Sequence, residues 1–440
     1  MLDATMQQVF GQDLPDQQPF CRIQKIEVTP VAFADPPLLN SVGVHEPYAL
    51  RAIIVVHTDS GHYGLGETYG DEVHVNRLRR AAEELINADP FNLSVISRLV
   101  SASLRQDDGQ GGHGTGGMVT TTSLDDRVLS AFNVACLDIQ GKILGLPVSA
   151  LLGGAVREHV DFSGYLFYKW AAHPGQEPDK WGPAEDPAGI VAQARIMVND
   201  YGFRALKLKG GVFPPEQEAA AIEALHEEFP DIPLRLDPNG VWSVPTAISV
   251  GHRLESSLEY LEDPCLSIAD NAAVRAEIAL PIATNMCVVS FADLPPAMDA
   301  KAIDIVLSDH HFWGGLSRSK LLSGIAETFR LRLSMHSNSH LGISFAAMIH
   351  LAAATENIDY ACDTHWPWKR EEDDVIVPGV LVIQEGHVKV PTAPGLGIEL
   401  DPQALERMHQ QYLDSGLRQR NDTGYMQSID PSYELKSPRW

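Results

Sequence analysis

The stretch Tyr201–Gly211, YGFRALKLKGG, decides how the rest of the chain is read. At its centre Leu206 and Leu208 alternate with Lys207 and Lys209. In a strand, successive side chains point to opposite faces, so both lysines look one way and both leucines the other. A solvated face takes two ammonium groups without help. A closed interior takes them only opposite acids, because an unpaired buried charge is costly.

The sequence downstream chooses between the two. After LLGGAV (151–156), apolar strand candidates alternate with amphipathic helices. ALKLK precedes a helix at Glu216–Glu228, PLRLD one at Val244–Leu254, EYLED one at Asp270–Ile278 and PIATN one at Leu294–Ala300. DIVLSD precedes Leu316–Phe329, LRLSMH precedes Ser344–Thr355, and YACD closes the series that VDFSGYLF (160–167) opens. Eight β/α units in about 240 residues match a closed barrel of parallel strands. A doubly wound open sheet is the alternative, but no Gly-rich dinucleotide fingerprint follows any strand.

Each strand ends on a polar residue: Lys207 and Lys209, then Asp237, Glu262, Asn285, Asp309, His336 and Asp363. They recur about once per β/α unit, so they converge on the carboxyl-terminal rim, where barrel enzymes keep their chemistry. The lysines are therefore expected to face a barrel mouth. Asp237, Glu262 and Asn285 sit on successive strands and offer oxygen only, which suits a hard ion such as Mg²⁺. Singly, each acid would pass as a helix cap; three consecutive strand ends favour the metal. Asp309 and His336 form a carboxylate–imidazole pair suited to acid–base work. Neighbouring ammonium groups disfavour each other's charge, so Lys209 is expected to serve as an opposing base. A metal-held carboxylate between two bases suits removal of the adjacent proton.

The first third reads as α+β. RIQKIEVTPVAF and LRAIIVVHTDSGHYGLGET form strands, and helices follow near Val75–Asn87 and from Ser123, with Val128, Phe132, Cys136 and Ile139 on one face. Between them, the Gly-rich Asp107–Ser123 lacks the end of a phosphate loop and reads as a flap. The expected division is a loose extension at 1–20, an α+β capping domain at 21–150, a barrel at 151–395 and a returning segment at 396–440.

The 440 residues carry a formal net charge of −25, which speaks against nucleic-acid or anionic-membrane partners. Five scattered cysteines and a polar N-terminus point to a reducing, cytoplasmic setting. A homo-oligomer is expected. KREEDD (369–374) reads as a solvated loop, and the Asn92 and Asn421 sequons as unmodified.

On the motifs KLKGGV, LDPNG, LEDPC, ATNM, DHHFWGG, MHSNSH, DTHWPW and PGLGIELD, the chain resembles the enolase superfamily, in its mandelate-racemase-like branch and the glucarate dehydratase group. The resemblance implies a modified (β/α)8-type, TIM-like barrel with an N-terminal α+β capping domain, and Mg²⁺ on Asp237, Glu262 and Asn285. It implies Lys209 with Lys207 on one face, His336 with Asp309 on the other, and Asn239 beside the reacting carboxylate. The expected reaction is dehydration of D-glucarate, and of its C5 epimer L-idarate, to 5-dehydro-4-deoxy-D-glucarate. By the same resemblance Asn40, His45, Thr121, Tyr165, His365 and Arg420 contact the diacid sugar. Asn338, Ser339 and His310 depart from the group's usual residues. Three rivals stay open: a dehydratase or epimerase for another acid sugar such as galactarate or an aldonate, a low-activity paralogue, and, less favoured, a hydrolase barrel, since VDFSGYLF lacks a His-x-His pair.

Overall fold

The computed structural model describes residues 20–112 and 123–440. Thr121, most of the Gly-rich flap and all of the N-terminal extension but Phe20 lie outside the described residues. An antiparallel sheet opens the chain. It comprises β1 (Ile23–Ala34), β4 (Tyr48–Thr58) and β5 (Tyr63–Tyr69), in the order β1-β4-β5, while β2 (Leu39–Asn40) and β3 (Gly43–Val44), between β1 and β4 in the chain, pair with each other as a separate two-stranded ribbon. Asp59–His62 make the expected turn between β4 and β5. Helices follow at Glu72–Glu84, Leu93–Ser103 and Leu124–Leu144. The last of these buries Val128, Phe132, Cys136 and Ile139 against the sheet in one apolar cluster.

Eight parallel strands then alternate with helices: β6 (His159–Phe167), β7 (Leu206–Lys209), β8 (Leu234–Asp237), β9 (Tyr260–Glu262), β10 (Ile282–Thr284), β11 (Ile305–Ser308), β12 (Arg332–Met335) and β13 (Cys362–Thr364). Their order is β12-β11-β10-β9-β8-β7-β6-β13. A parallel bridge between Leu333 and Ile358 and a bond from Ser334 Oγ to the Ala361 carbonyl draw the two ends together. The fold is thus a TIM-like barrel, closed more loosely between its seventh and eighth strands. Its eighth unit is modified: a 3-10 turn at Trp366–Trp368 stands where a helix would follow β13.

Period-two alternation sorts the side chains. Leu206, Leu208, Leu234, Leu236 and Leu261 face the surrounding helices, each burial favouring folding by about 2 kcal/mol. Tyr260, Ala283, Ile305 and Leu307 point inward and form a small apolar floor. The next inward position on each strand is polar, and there the chemistry begins.

Outside the barrel, β14 (His387–Lys389) pairs with β6, and the helix Pro402–Ser415 packs along β1. The structure also holds helices the periodicity did not single out. One is Pro187–Tyr201, capped by Asp186 and ended by Gly202 in the left-handed region. Asn92 and Asn421, in the two sequons, are helix N-caps, accepting from the amides of Val95 and Gly424. KREEDD is not fully solvated. Lys369 pairs with Asp374 at 3.2 Å, Asp373 accepts from the Ala34 amide, and Asp374 accepts from the Gly342 amide. All five cysteines are free. Among the described residues no helix is long and apolar enough to cross a membrane.

At Gly66 on β5 an added Cβ would overlap the Ala131 carbonyl oxygen, which belongs to a helix backbone and cannot turn away. Gly66→Val should therefore destabilise the chain by about 1–3 kcal/mol or more, measured by denaturant unfolding.

Candidate active site

Strand register fixes the vertical order of the inward side chains. Tyr165, Lys207 and Arg235 lie level across β6, β7 and β8, and Phe167, Lys209 and Asp237 lie level one layer above. Both lysines are buried, so the interior reading holds over the solvated one. The Lys207 ammonium lies 2.6 Å from Asp363, 2.5 Å from Glu262 and 3.7 Å from Asp237. Burial works against its charge, but Asp363 and Glu262 more than offset it, holding Lys207 protonated well beyond the ordinary range. Here the carboxylates, not the neighbouring ammonium, decide. Lys209 donates to Asp237 Oδ2 at 2.6 Å.

Burial alone would push Asp237 up, but Lys209 and Lys207 outweigh it and hold its carboxyl below the usual value. Burial and the Asp237 charge push Glu262 the other way, well above the usual range. Asn285 donates to Glu262 Oε1 at 2.5 Å, while its own Oδ1 is buried with no hydrogen-bond donor among the described residues. Two mutually repelling acids beside an orphaned amide oxygen fit a hard divalent cation. Asn239 donates its backbone and side-chain N–H groups to Asp237 Oδ1, at 2.9 and 3.1 Å. This bracing comes from a residue at positive φ.

Asp309 and His336 follow β11 and β12, and His336 Nδ1 lies 3.0 Å from Asp309 Oδ2. Burial pushes Asp309 up, yet His311 and His336 bring its carboxyl well below the ordinary value. His336 is itself lowered, because burial outweighs the pull of Asp309.

A cavity of about 290 Å³ opens above these groups. Lys209, Asn239 and His336 line it, together with Asn40, His45, Tyr165, His365 and Arg420. Burial holds His365 well below its usual value, and its Nδ1 meets Ser337 Oγ at 2.9 Å. The outer wall comes from the chain's two ends. His45 meets Asp35 at 3.1 Å, and Asn40 donates to Asp422 at 2.8 Å. Arg420 is already engaged, giving Asp422 two bonds at 2.9 and 2.8 Å. Burial opposes the Asp422 charge, but Arg420 lowers its carboxyl to about 2.

The sequence reading missed Asp422, Gln419, Asn421 and Thr423 as lining residues, although Asp422 lies only two positions from Arg420. It also missed Tyr69 and His311, which reach Asp309 at 3.4 and 2.7 Å. The doubled histidine after Asp309 was the one local signal for His311.

Comparison with known proteins bears on the family. Residues 189–404 match the family described as enolase C-terminal domain-like. A curated probable glucarate dehydratase of Streptomyces coelicolor is 47% identical over 95% of this chain and 99% of its own. A crystal structure of an enolase from Mycobacterium smegmatis with formate and acetate superposes with a TM-score of 0.93 at 60% identity, covering 96% of this chain and 99% of the other. An enolase from Pseudomonas fluorescens with bound magnesium, potassium and tartrate gives 0.92 at 45% identity, over 96% of this chain and 100% of its own. With a likeness that runs nearly end to end, the chain belongs to the enolase superfamily and is a glucarate dehydratase-like enzyme.

Proposed function

We propose that the chain dehydrates D-glucarate to 5-dehydro-4-deoxy-D-glucarate, accepts L-idarate as well, and uses Mg²⁺ held by Asp237, Glu262 and Asn285. One observation carries the reading. Lys209 and His336 rise from β7 and β12, on different sides of the barrel mouth, and line a single cavity over one buried acid cluster. A binding module has no use for two such groups. The relative with bound magnesium and tartrate, a small diacid, supports both the metal and the substrate class. In this reading 21–150 caps the 151–395 barrel, and 396–440 returns to complete the cavity wall.

The bound ion supplies electrophilic stabilisation to a substrate carboxylate as negative charge builds on it. The chain's own groups do the rest. Lys209 serves one face of C5 and His336 the other, so each epimer meets a base. When the C5–H bond breaks, its electron pair passes toward the carboxylate and then expels the C4 hydroxyl. Where His336 takes the C5 proton, it passes that same proton to the departing hydroxyl, which leaves as water; where Lys209 takes it, His336 enters the step protonated and supplies the proton. Asn239 keeps Asp237 aligned by its two N–H bonds. Lys207 neutralises the acids beneath without leaving its place.

A second reading has one observation behind it. Because Asp422 already occupies Arg420, the outer wall is less cationic than a distal carboxylate would want, which favours an aldonate. A panel of aldaric and aldonic acids separates the two. Turnover confined to aldonates would overturn the diacid assignment.

Two further outcomes test the chemistry. With D-glucarate and L-idarate in D₂O, His336→Asn should lower dehydration of both by about 10²–10⁴-fold, whereas Lys209→Ala should do so for the epimer whose C5 proton faces Lys209 and alter deuterium exchange on that face only. Unchanged turnover would remove either residue from its role. In thermal melts, Mg²⁺ at 100 times its Kd should stabilise the wild type by about 2.7 kcal/mol. Asn285→Leu should lose most of that increment, and a variant that kept it would exclude Asn285 as a ligand.

A further inference from the structure

We infer that His311 is a positioning residue that fixes the proton arrangement of the Asp309–His336 pair, and that His311 takes its own orientation from Arg51 on the N-terminal sheet. The inference rests on the reading of His336 as a base.

Arginine is the fixed point, because a guanidinium donates through all its nitrogens and accepts through none. Arg51 Nε donates to Glu67 Oε1 at 2.8 Å. Its NH2 group lies 2.9 Å from His311 Nε2 and 3.2 Å from Ser344 Oγ. Nε2 of His311 also lies 2.8 Å from Ser344 Oγ. A hydroxyl can donate or accept, whereas the guanidinium can only donate, so Nε2 presents its lone pair to Arg51, with Ser344 turning its O–H toward the same nitrogen. An imidazole with its lone pair on Nε2 carries its proton on Nδ1. That nitrogen lies 2.7 Å from Asp309 Oδ1, so it donates to the carboxylate, as does the His311 backbone amide at 2.9 Å.

The other carboxylate oxygen is set the same way. Tyr69 accepts from Asn338 Nδ2 at 2.9 Å and donates to Asp309 Oδ2 at 3.4 Å. With donors at Oδ1 and Oδ2, Asp309 is an acceptor only. His336 must then turn a protonated Nδ1 to it, which leaves Nε2 as the atom free to take a substrate proton. Arg51 cannot drift, because Glu67 also accepts the backbone N–H groups of Leu341 and Ser344 at 2.9 and 2.7 Å. Arg51 and Glu67 stand on β4 and β5, whereas Asp309 and His336 follow β11 and β12. The capping sheet thus sets the tautomer of a base in the barrel.

A purely structural histidine would fill space and satisfy its neighbours, with no effect on how His336 titrates. The positioning role predicts otherwise. Without the His311 N–H, Asp309 has one donor fewer and holds the His336 proton more tightly. His336 then becomes protonated at higher pH, and the acid limb of kcat/KM moves upward. The groups that otherwise face this chain stay in place: Lys207, Lys209 and His365 beside His336, Tyr69 beside Asp309, and His310 and Arg51 beside His311.

Two substitutions separate the nitrogens, since Asn can replace the Nδ1 donor and Gln reaches only the Nε2 position. With KM little changed, His311→Gln should lower kcat by roughly 10–100-fold, the scale on which orienting partners act, and shift the acid limb up. His311→Asn should keep the wild-type pH profile and recover most of the rate. Equal losses in both variants, or a loss with an unmoved profile, would overturn the inference. Neutron diffraction from perdeuterated wild type needs no substrate and no variant. It should place deuterium on His311 Nδ1 and none on Nε2, and the reverse would overturn the inference. Wild type inactive on every acid sugar, with that deuterium pattern intact, would instead count against the proposed function.

Discussion

An ammonium group inside a barrel is the constraint on which the rest of this structure depends. Barrels of this kind are ordinarily filled with layers of aliphatic side chains. Here a thin apolar floor forms around Tyr260, Ala283, Ile305 and Leu307, and above it Lys207 is gripped by Asp363 and Glu262. Arg235 lies 3.7 Å below Asp363, and Lys209 closes the top on Asp237. In such a medium every pair is strong and every unpaired charge is expensive, so the stack must be assembled whole. The residual imbalance is concentrated at Glu262, which Asp237 and its own burial drive away from the charged form. An extra positive charge would relieve that repulsion, which is why Glu262 is among the proposed Mg²⁺ ligands.

The second feature is that the barrel does not complete its own site. Asn40 and His45 come from the N-terminal segment, Arg420 and Asp422 from the C-terminal one, and both ends meet above the mouth. Deeper down, Arg51 and Glu67 reach from the capping sheet to His311. The cap both walls the cavity and orients the groups beneath it. In barrel enzymes generally, loops carry substrate contacts and strand ends carry the chemistry.

How far the sequence could be read follows from the range of each interaction. The leucine–lysine alternation of Leu206–Lys209 and the recurrence of strand-end groups were legible, as was the buried face of Val128, Phe132, Cys136 and Ile139. The helix Pro187–Tyr201 was not, because a long segment rich in Pro, Gly and Trp separates it from β6 and hides its start. KREEDD looked like a solvated loop, yet Asp373 and Asp374 are buried acceptors for backbone groups more than thirty residues away. Composition cannot reveal a distant amide in need of an acceptor.

By itself, then, the sequence determined which residues share a face and which stand at strand ends, because alternation and the β/α repeat are local properties of the backbone. Which of these groups meet was left to the tertiary structure. Lys207 and Asp363 are 156 positions apart and 2.6 Å apart. Arg51 finds His311 across 260 positions, and Asn40 finds Asp422 across 382. Such pairs are made by closure of the barrel and by two chain ends folding over its mouth. Nothing in the local pattern around Arg420 announces that Asp422 occupies it, or that an imidazole beside Asp309 is aimed by an arginine from another sheet.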